Sequence, residues 1–340
     1  MTADDRAFDL GRADFVSTAP PAAGQIDLRL IAAVAAVRDD EPMILTVRGA
    51  DGDQLPAGGF TPSMDRTLEA GVRSTVSRDA GLDLGHVEQL VTLSDHRASP
   101  YAPPASSHRI SVAYLALARM GESSEGHGAS RSWKSWYTYL PWEDWRQGRP
   151  TILDEQIIPR LAAWAQEPDF GRSNATALGR GERVKIAFAT GESAWDEERV
   201  LERYELLFES GLLEEARAEG RRAPLGPKMS ALGRPMQFDH RRILATAISR
   251  VRGKIKSRPI VFEMMAAEFT LFELQRTVEA LLGPHLHKQN FRRLIEAGRL
   301  VEPTGSVRSR TGGRPAKLFR FRSEVVVERA APGVRVRPPR

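Results

Sequence analysis

Thr270–Gly298, TLFELQRTVEALLGPHLHKQNFRRLIEAG, decides how the last third of this 340-residue chain is read. Thr270-Leu271-Phe272-Glu273 has the spacing of a capping box, in which the threonine hydroxyl and the glutamate three residues on each satisfy an N–H at a helix start. Leu271, Leu274, Val278, Leu281 and Leu282 then recur on one face of a 3.6-residue period, and Gly283-Pro284 stops the helix. A second helix is expected from His287 to Ala297, with Phe291, Leu294 and Ile295 inward. Gln289, Arg292, Arg293 and Glu296 collect on its opposite face, and Gly298 closes it.

Upstream, Asp239 is placed to cap a helix whose apolar positions are Ile243, Leu244, Ala247, Ile248, Val251 and Ile255, ended by Pro259. Downstream, Leu300–Pro303 and Leu318–Phe321 read as short strands joined by Thr304–Lys317, a loop of Gly and Ser carrying several cations. Three helices followed by a hairpin with a basic tip is the winged helix-turn-helix plan. Helix 287–297 would then read DNA, with Lys288, Gln289, Asn290, Arg292 and Arg293 facing base edges and phosphates and Thr270 beside them. The wing residues Arg308, Arg310, Arg314 and Lys317 would meet the backbone or minor groove. A small α+β domain with a solvated arginine face is the other reading of this pattern.

Charge weighs toward nucleic acid. Residues 1–235 carry 27 Lys/Arg against 35 Asp/Glu, a net −8, whereas residues 236–340 carry 22 against 9, a net +13. An acidic body with a basic end suits a polyanion-binding module on a soluble carrier. The absence of cysteine excludes disulfides, thiolate metal sites and a cysteine nucleophile. No apolar run reaches the roughly 18 residues of a membrane span, and the N-terminus lacks a signal-peptide pattern, so a cytoplasmic protein with no membrane partner is expected.

The rest of the chain divides by composition. Residues 1–24 read as a flexible arm, 25–150 as a layered domain, 151–235 as a helical insertion and linker, 236–325 as the winged helix, and 326–340 as a flexible basic tail. Within 25–150, strands are expected at Ile26–Val37, Met43–Arg48, Val87–Leu93, Ile110–Ala118 and Trp136–Leu140, with a helix from Met64 to Ala80. Strands around one long helix indicate an α/β/α sandwich, so the whole chain is α+β and multidomain. In the insertion, Thr151–Gln166 and Asp196–Glu219 have helical spacing, and Arg183–Ala189 reads as a short strand. His240, His285 and His287 show no metal-ligand spacing, and no Ser-His-Asp arrangement stands out.

Ala267-Glu268-Phe269-Thr270-Leu271-Phe272-Glu273-Leu274-Gln275, Leu282-Gly283, Asn290-Phe291-Arg292-Arg293 and Gly313-Arg314-Pro315-Ala316-Lys317-Leu318-Phe319-Arg320-Phe321 resemble the C-terminal domain of the NrtR family. These are Nudix-related repressors of NAD-metabolism genes. Leu55-Pro56-Ala57-Gly58-Gly59-Phe60 and Arg109–Leu117 resemble the family's Nudix portion, and the insertion suggests the longer NadQ-type subgroup. The resemblance implies a repressor of NAD biosynthesis or salvage genes, no required cofactor, a regulatory adenine nucleotide (ADP-ribose, NAD or ATP), and a homodimer on a palindromic operator in double-stranded DNA. Arg48, Phe60, Arg97 and Arg109 are the candidate ligand-binding residues. A Nudix hydrolase needs G-x5-E-x7-R-E-U-x-E-E-x-G-U, with U apolar, so that glutamates on one helix face hold a divalent ion. Anchored on Gly81-Leu82, the R-E pair falls on Ser74-Thr75 and the E-E pair on Arg78-Asp79, which leaves only Asp79 as a carboxylate. Hard divalent ions need several oxygen ligands, so no catalytic residue and no metal ligand is expected. The alternative is an active hydrolase of ADP-ribose-like substrates with a nucleic-acid-binding tail.

Overall fold

Leu30–Ala36 is buried without a break, so the strand that contains it must be covered on both faces. In the computed structural model, which describes residues 25–94, 107–120, 131–167, 178–192, 194–221, 232–309 and 315–325, that strand is β1 (Gln25–Arg38). It turns through Asp39-Asp40, both at positive φ (51° and 62°), into the antiparallel β2 (Glu41–Gly49). Two successive left-handed residues give the turn the twist that paired strands require. β3 (Gly52–Gln54) folds back on β2, and β4 (Ala57–Gly59) pairs with the first half of β1. After α1 (Leu68–Ala80), β5 (Val87–Ser94) pairs antiparallel with β6 (Ser107–Leu117), and β6 runs parallel to β1. β7 (Arg131–Ser135) closes on β2. The sheet order is β3-β2-β1-β6-β5.

Each face of this sheet has its own cover. Leu30, Ala32 and Val34 of β1 and Val112, Tyr114 and Ala116 of β6 pack with Val72 and Val76 of α1. The alternate residues, among them Ile31, Ala33, Ala113 and Leu115, join a core containing Ile243, Ile248, Val251, Leu274 and Val278. Those five belong to α6 (His240–Ser257) and α7 (Leu271–Leu282). The second layer of the sandwich is therefore supplied by helices more than a hundred residues downstream. Burying each such Val, Leu or Ile contributes about 1.5–3 kcal/mol.

In the chain between β7 and α6 lie a π-turn at Leu153–Ile157 and four helices, α2 (Ile158–Gln166), α3 (Arg180–Phe188), α4 (Val200–Glu209) and α5 (Glu214–Ala218). They are locked to α6 by buried charge. The Glu143 carboxylate accepts from Arg203 of α4 at 2.6 and 2.9 Å and from Arg252 of α6 at 2.6 Å, with all three side chains fully buried. Arg203 also donates to the carbonyls of Ala187 and Asp196, and Arg252 to that of Leu281. Arg241 of α6 pairs with Glu215 of α5 at 3.1 Å. The basic end closes with α8 (Lys288–Gly298), β8 (Val301–Arg308) and the antiparallel β9 (Ala316–Phe321).

Several local expectations are corrected. α1 starts at Leu68 because Thr67 caps it, accepting from Ala70 N, while Met64 stands 80 % exposed in the preceding turn. Trp136–Leu140 is no strand: the strand is β7, and the Ser135 hydroxyl then caps a 3-10 turn at Trp136–Thr138 whose large side chains point into the core. Arg183–Ala189 falls within α3, where Val184, Ala187 and Phe188 share the buried face and Glu182 accepts from Gly179 N. Asp196–Glu219 is broken at Ser210-Gly211, with Gly211 at φ 72°. Asp239 does not cap α6 and instead pairs with Arg242. The first wing strand runs on to Arg308, beyond the expected Pro303. The arm at 1–24, the tail at 326–340, Arg97, Arg310 and Arg314 lie outside the described residues.

Candidate nucleic-acid interface and ligand cavity

α8 is a strongly two-sided helix. Phe291 and Ile295 are buried, while Lys288, Gln289, Asn290, Arg292, Arg293 and Glu296 are exposed. Its entry is fixed from α7. The Glu279 carboxylate accepts from Gln275 Nε2 at 2.8 Å, from Leu286 N at 2.9 Å and from Arg276 at 3.2 Å, with His285 at 3.3 Å. Burial pushes this carboxyl up, but the bonds from Gln275, Leu286 and His285 outweigh it and hold the pKa below the ordinary glutamate value. A buried anion thus sets the turn before α8. Among the described residues the side chains of Lys288, Gln289, Asn290, Arg292 and Arg293 have no hydrogen-bond or ion-pair partner. That differs from the buried arginines of the core, and it leaves planar multi-donor groups available for phosphates and base edges.

The capping box expected at Thr270 is present in both directions, Thr270 Oγ1 accepting from Glu273 N at 3.1 Å and Glu273 accepting from Thr270 N at 2.8 Å. Thr270 is buried, so its hydroxyl serves α7 rather than facing outward with α8. Arg308 is likewise engaged, donating to Glu273 at 2.7 Å and to the Glu268 carbonyl at 3.3 Å. It ties the wing to the start of α7. Lys317 stays exposed on β9. Phe269 bonds Phe319 in both directions, at 2.9 and 2.8 Å, and the Phe262 and Phe321 rings stack at 4.4 Å, so the hairpin is anchored to the helices.

A cavity of about 330 Å³ lies at one end of the sheet's strands, within the range of small-molecule sites. Arg29 and Arg109 stand on one wall from adjacent strands, and both donate to Asp27 Oδ2, at 3.4 and 2.9 Å. Burial raises the Asp27 carboxyl, but these guanidinium groups win and hold it below the ordinary range. Asp79 and Ala80 line the cavity from the end of α1, and Arg131 from β7. Gln54, Leu55, Pro56 and Ala57 form its floor, and Gln237, Phe238, Asp239 and His240 close it. His240 is buried, accepts from Leu55 N through Nδ1 at 2.8 Å, and has its pKa pushed down by burial to about 4.

Of the four residues expected to bind ligand, Arg109 lines this cavity. Arg48 is exposed beside a separate groove with Asp51 and Glu214, and Phe60 packs on the α1 side of the sheet. Arg29, Asp27, Phe238 and His240 carry no ligand signal in the sequence: the first pair lies on β1 and the second at the entry to α6, and only the packing of α6 on the sheet brings the pairs together. Thr75 and Arg78, which the sequence places at Nudix-box positions, are both engaged within the chain. Thr75 is buried so close to β4 that a Cβ on Gly58 would lie 3.0 Å from it, and Arg78 is turned to Asp79 at 3.1 Å. Among the described residues no three His, Asp or Glu side chains gather as a metal site, and no helix is long and apolar enough to cross a membrane.

The architecture is that of a Nudix-like domain joined to a winged-helix DNA-binding domain. The profile described as the NrtR DNA-binding winged helix domain matches residues 261–321. The ADPR responsive transcriptional repressor NtrR of Acinetobacter baylyi is 40% identical over 92 residues, 27% of this chain and 36% of that relative. The chain thus matches little more than a third of that relative's length. The fold is shared with NrtR of Shewanella oneidensis, in its complex with a 27mer DNA (TM-score 0.51) and in a second crystal structure of NrtR (TM-score 0.50). Each is 17% identical, with 88% of this chain and 95% of that chain covered. Residues 261–321 thus match the NrtR DNA-binding winged helix domain.

Proposed function

We propose that this protein is a transcriptional repressor of NAD biosynthesis or salvage genes, which binds operator DNA through α8 and the wing and senses an adenine nucleotide in the cavity. The observation that carries the DNA half is the exposed row Lys288, Gln289, Asn290, Arg292 and Arg293, without side-chain partners among the described residues, on a helix held in place by Glu279. The relative described as ADPR responsive supports ADP-ribose as the first effector to try, ahead of NAD and ATP. Arg29 and Arg109 would receive its diphosphate. A homodimer on a palindromic operator, the NadQ-type subgroup and a cytoplasmic location belong to the same proposal, as do the domain limits 25–150, 151–235 and 236–325.

The nucleotide is bound without turnover in this reading, because Thr75 and Arg78 stand where the glutamates of a hydrolase would hold the ion. The test is a titration of the full chain with operator and random duplexes, with and without ADP-ribose, beside an assay of ADP-ribose cleavage in magnesium or manganese. Operator preference that shifts with ADP-ribose, with no cleavage, is the expected result. Metal-dependent cleavage abolished by Asp79→Ala would instead make the protein a hydrolase with a nucleic-acid-binding tail.

A further inference from the structure

Phe238 combines three unusual properties. It is a large aromatic residue with φ at 54°, in the left-handed region that β-carbon sterics disfavour. It is 45 % exposed although it lies between buried neighbours, Met236 and His240. It also lines both the cavity and the neighbouring groove, which places its ring at their common rim.

The surrounding chain imposes this conformation. On one side Gln237 N donates to Asp53 O at 3.0 Å, and the Gln237 amide is placed to accept from the N–H groups of Asp51 and Gly52. Asp53 is itself held by Lys134 at 2.8 and 2.9 Å and by the Tyr139 hydroxyl at 2.8 Å. On the other side His240 is fixed by Leu55 N at 2.8 Å, and its own N–H reaches Gln237 O at 3.3 Å. The residues flanking Phe238 are pinned to the β2–β3 hairpin, and a strained backbone lifts the ring between them. Strain of this kind persists where the surroundings over-determine it, and it concentrates at ligand sites. The Phe238 ring tilts by 52° against His240 at 5.6 Å, so it is steadied without being buried.

We propose that Phe238 is the stacking surface for the planar ring of the cavity's ligand and so selects a base-bearing nucleotide over a bare sugar phosphate. The proposal rests on the reading of the cavity as an effector site. It assigns the specificity contact to the segment that opens α6, so the site is incomplete without the C-terminal part of the chain. Arg29 and Arg109, on the opposite strands, hold the phosphates of any such ligand and make no distinction between them.

The experiment is calorimetric titration of the full chain with ADP-ribose and with ribose 5-phosphate, for the wild type, Phe238→Gly, Phe238→Trp and Arg109→Ala. Glycine removes the ring and relieves the positive φ, so this variant should be at least as stable as the wild type. Loss of affinity in it then cannot come from unfolding. The expected result is at least about tenfold weaker ADP-ribose binding by Phe238→Gly with ribose 5-phosphate unchanged, and retention by Phe238→Trp. Weakening of both ligands alike, or of neither, overturns the stacking role while a loss in Arg109→Ala keeps the cavity as the effector site. If Arg109→Ala also binds ADP-ribose normally, or the wild type does not bind it, the cavity reading fails and the proposal with it.

Discussion

α8 and the cavity both present guanidinium groups, in opposite settings. On α8, Arg292 and Arg293 come from one short segment, stand in solvent and have no protein partner among the described residues. In the cavity, Arg29 and Arg109 come from separate strands and share the Asp27 carboxylate. The first arrangement suits a polymeric anion that brings many phosphates and displaces only water and counterions. The second suits a single small anion that must compete with a resident carboxylate, which favours multidentate phosphate over weaker ligands. The two are joined by α6, whose first turn touches the cavity and whose far half packs beside α7.

The strongest way to break the pairing is to remove the joint. Glu143→Gln leaves Arg203 and Arg252 buried with neutral partners only, namely backbone carbonyls, the Tyr137 hydroxyl and the new amide oxygen. Removing one member of a buried ion pair costs about 3–5 kcal/mol, because the remaining charge is uncompensated. Urea denaturation at neutral pH should show that loss, with ligand and DNA binding falling together. A loss under about 1 kcal/mol would mean that the insertion and α6 are held by apolar packing alone.

His240 gives a second handle, through pH. Burial pushes its folded pKa to about 4, below the ordinary histidine value of 6.5, so the unfolded chain binds the proton first. The neutral imidazole therefore contributes stability that is complete above pH 6.5 and is lost as pH falls toward 4. At 1.36 kcal/mol per pH unit the difference reaches about 3 kcal/mol at the acid end. Denaturation between pH 7 and 4.5 for the wild type and His240→Asn isolates this share from that of the carboxylates. Parallel curves for the two proteins would remove His240 from the account.

How much of each region could be read in the sequence follows from how local it is. Thr270, Glu273, Phe291, Ile295 and the α8 cations sit at fixed spacings along one or two helices, and helical periodicity alone sorts them into faces. The cavity has no such signal. Arg29 and Arg109 become neighbours only through the parallel pairing of β1 with β6, across eighty residues. His240 reaches Leu55 only because α6 forms the second layer of a sheet that reads, by sequence, as belonging to another domain. α3 is hidden for a different reason: Val184 and Phe188 favour a strand, and Glu182 caps a helix that opens on Gly179 rather than on serine or threonine.

On the DNA side, Arg293→Ala should narrow the gap between operator and random duplex. A bidentate arginine contact to a base is worth about 1–3 kcal/mol, counted twice if the protein is a dimer. Anisotropy titrations on both duplexes check this, since the variant must lose more on operator than on random DNA. Equal losses on both would make Arg293 a phosphate contact and move the base reading to Gln289 or Arg292.

The smallest effect is expected from Lys317→Ala, and it concerns the wing. Arg308 is committed to Glu273 and Glu268, whereas the exposed Lys317 has no ion-pair partner among the described residues. An ammonium on a flexible stem acts as a point charge and carries no bidentate geometry, which fits a phosphate better than a base edge. Replacing it should weaken operator and random DNA by the same modest factor and make the salt dependence shallower by about one unit of slope. The measurement is a salt series on both duplexes, read beside Arg293→Ala. If Lys317→Ala lost operator preference while its salt slope stayed unchanged, the wing would be the sequence reader and α8 the electrostatic anchor. That result would reverse the roles of the two elements while leaving their fold intact.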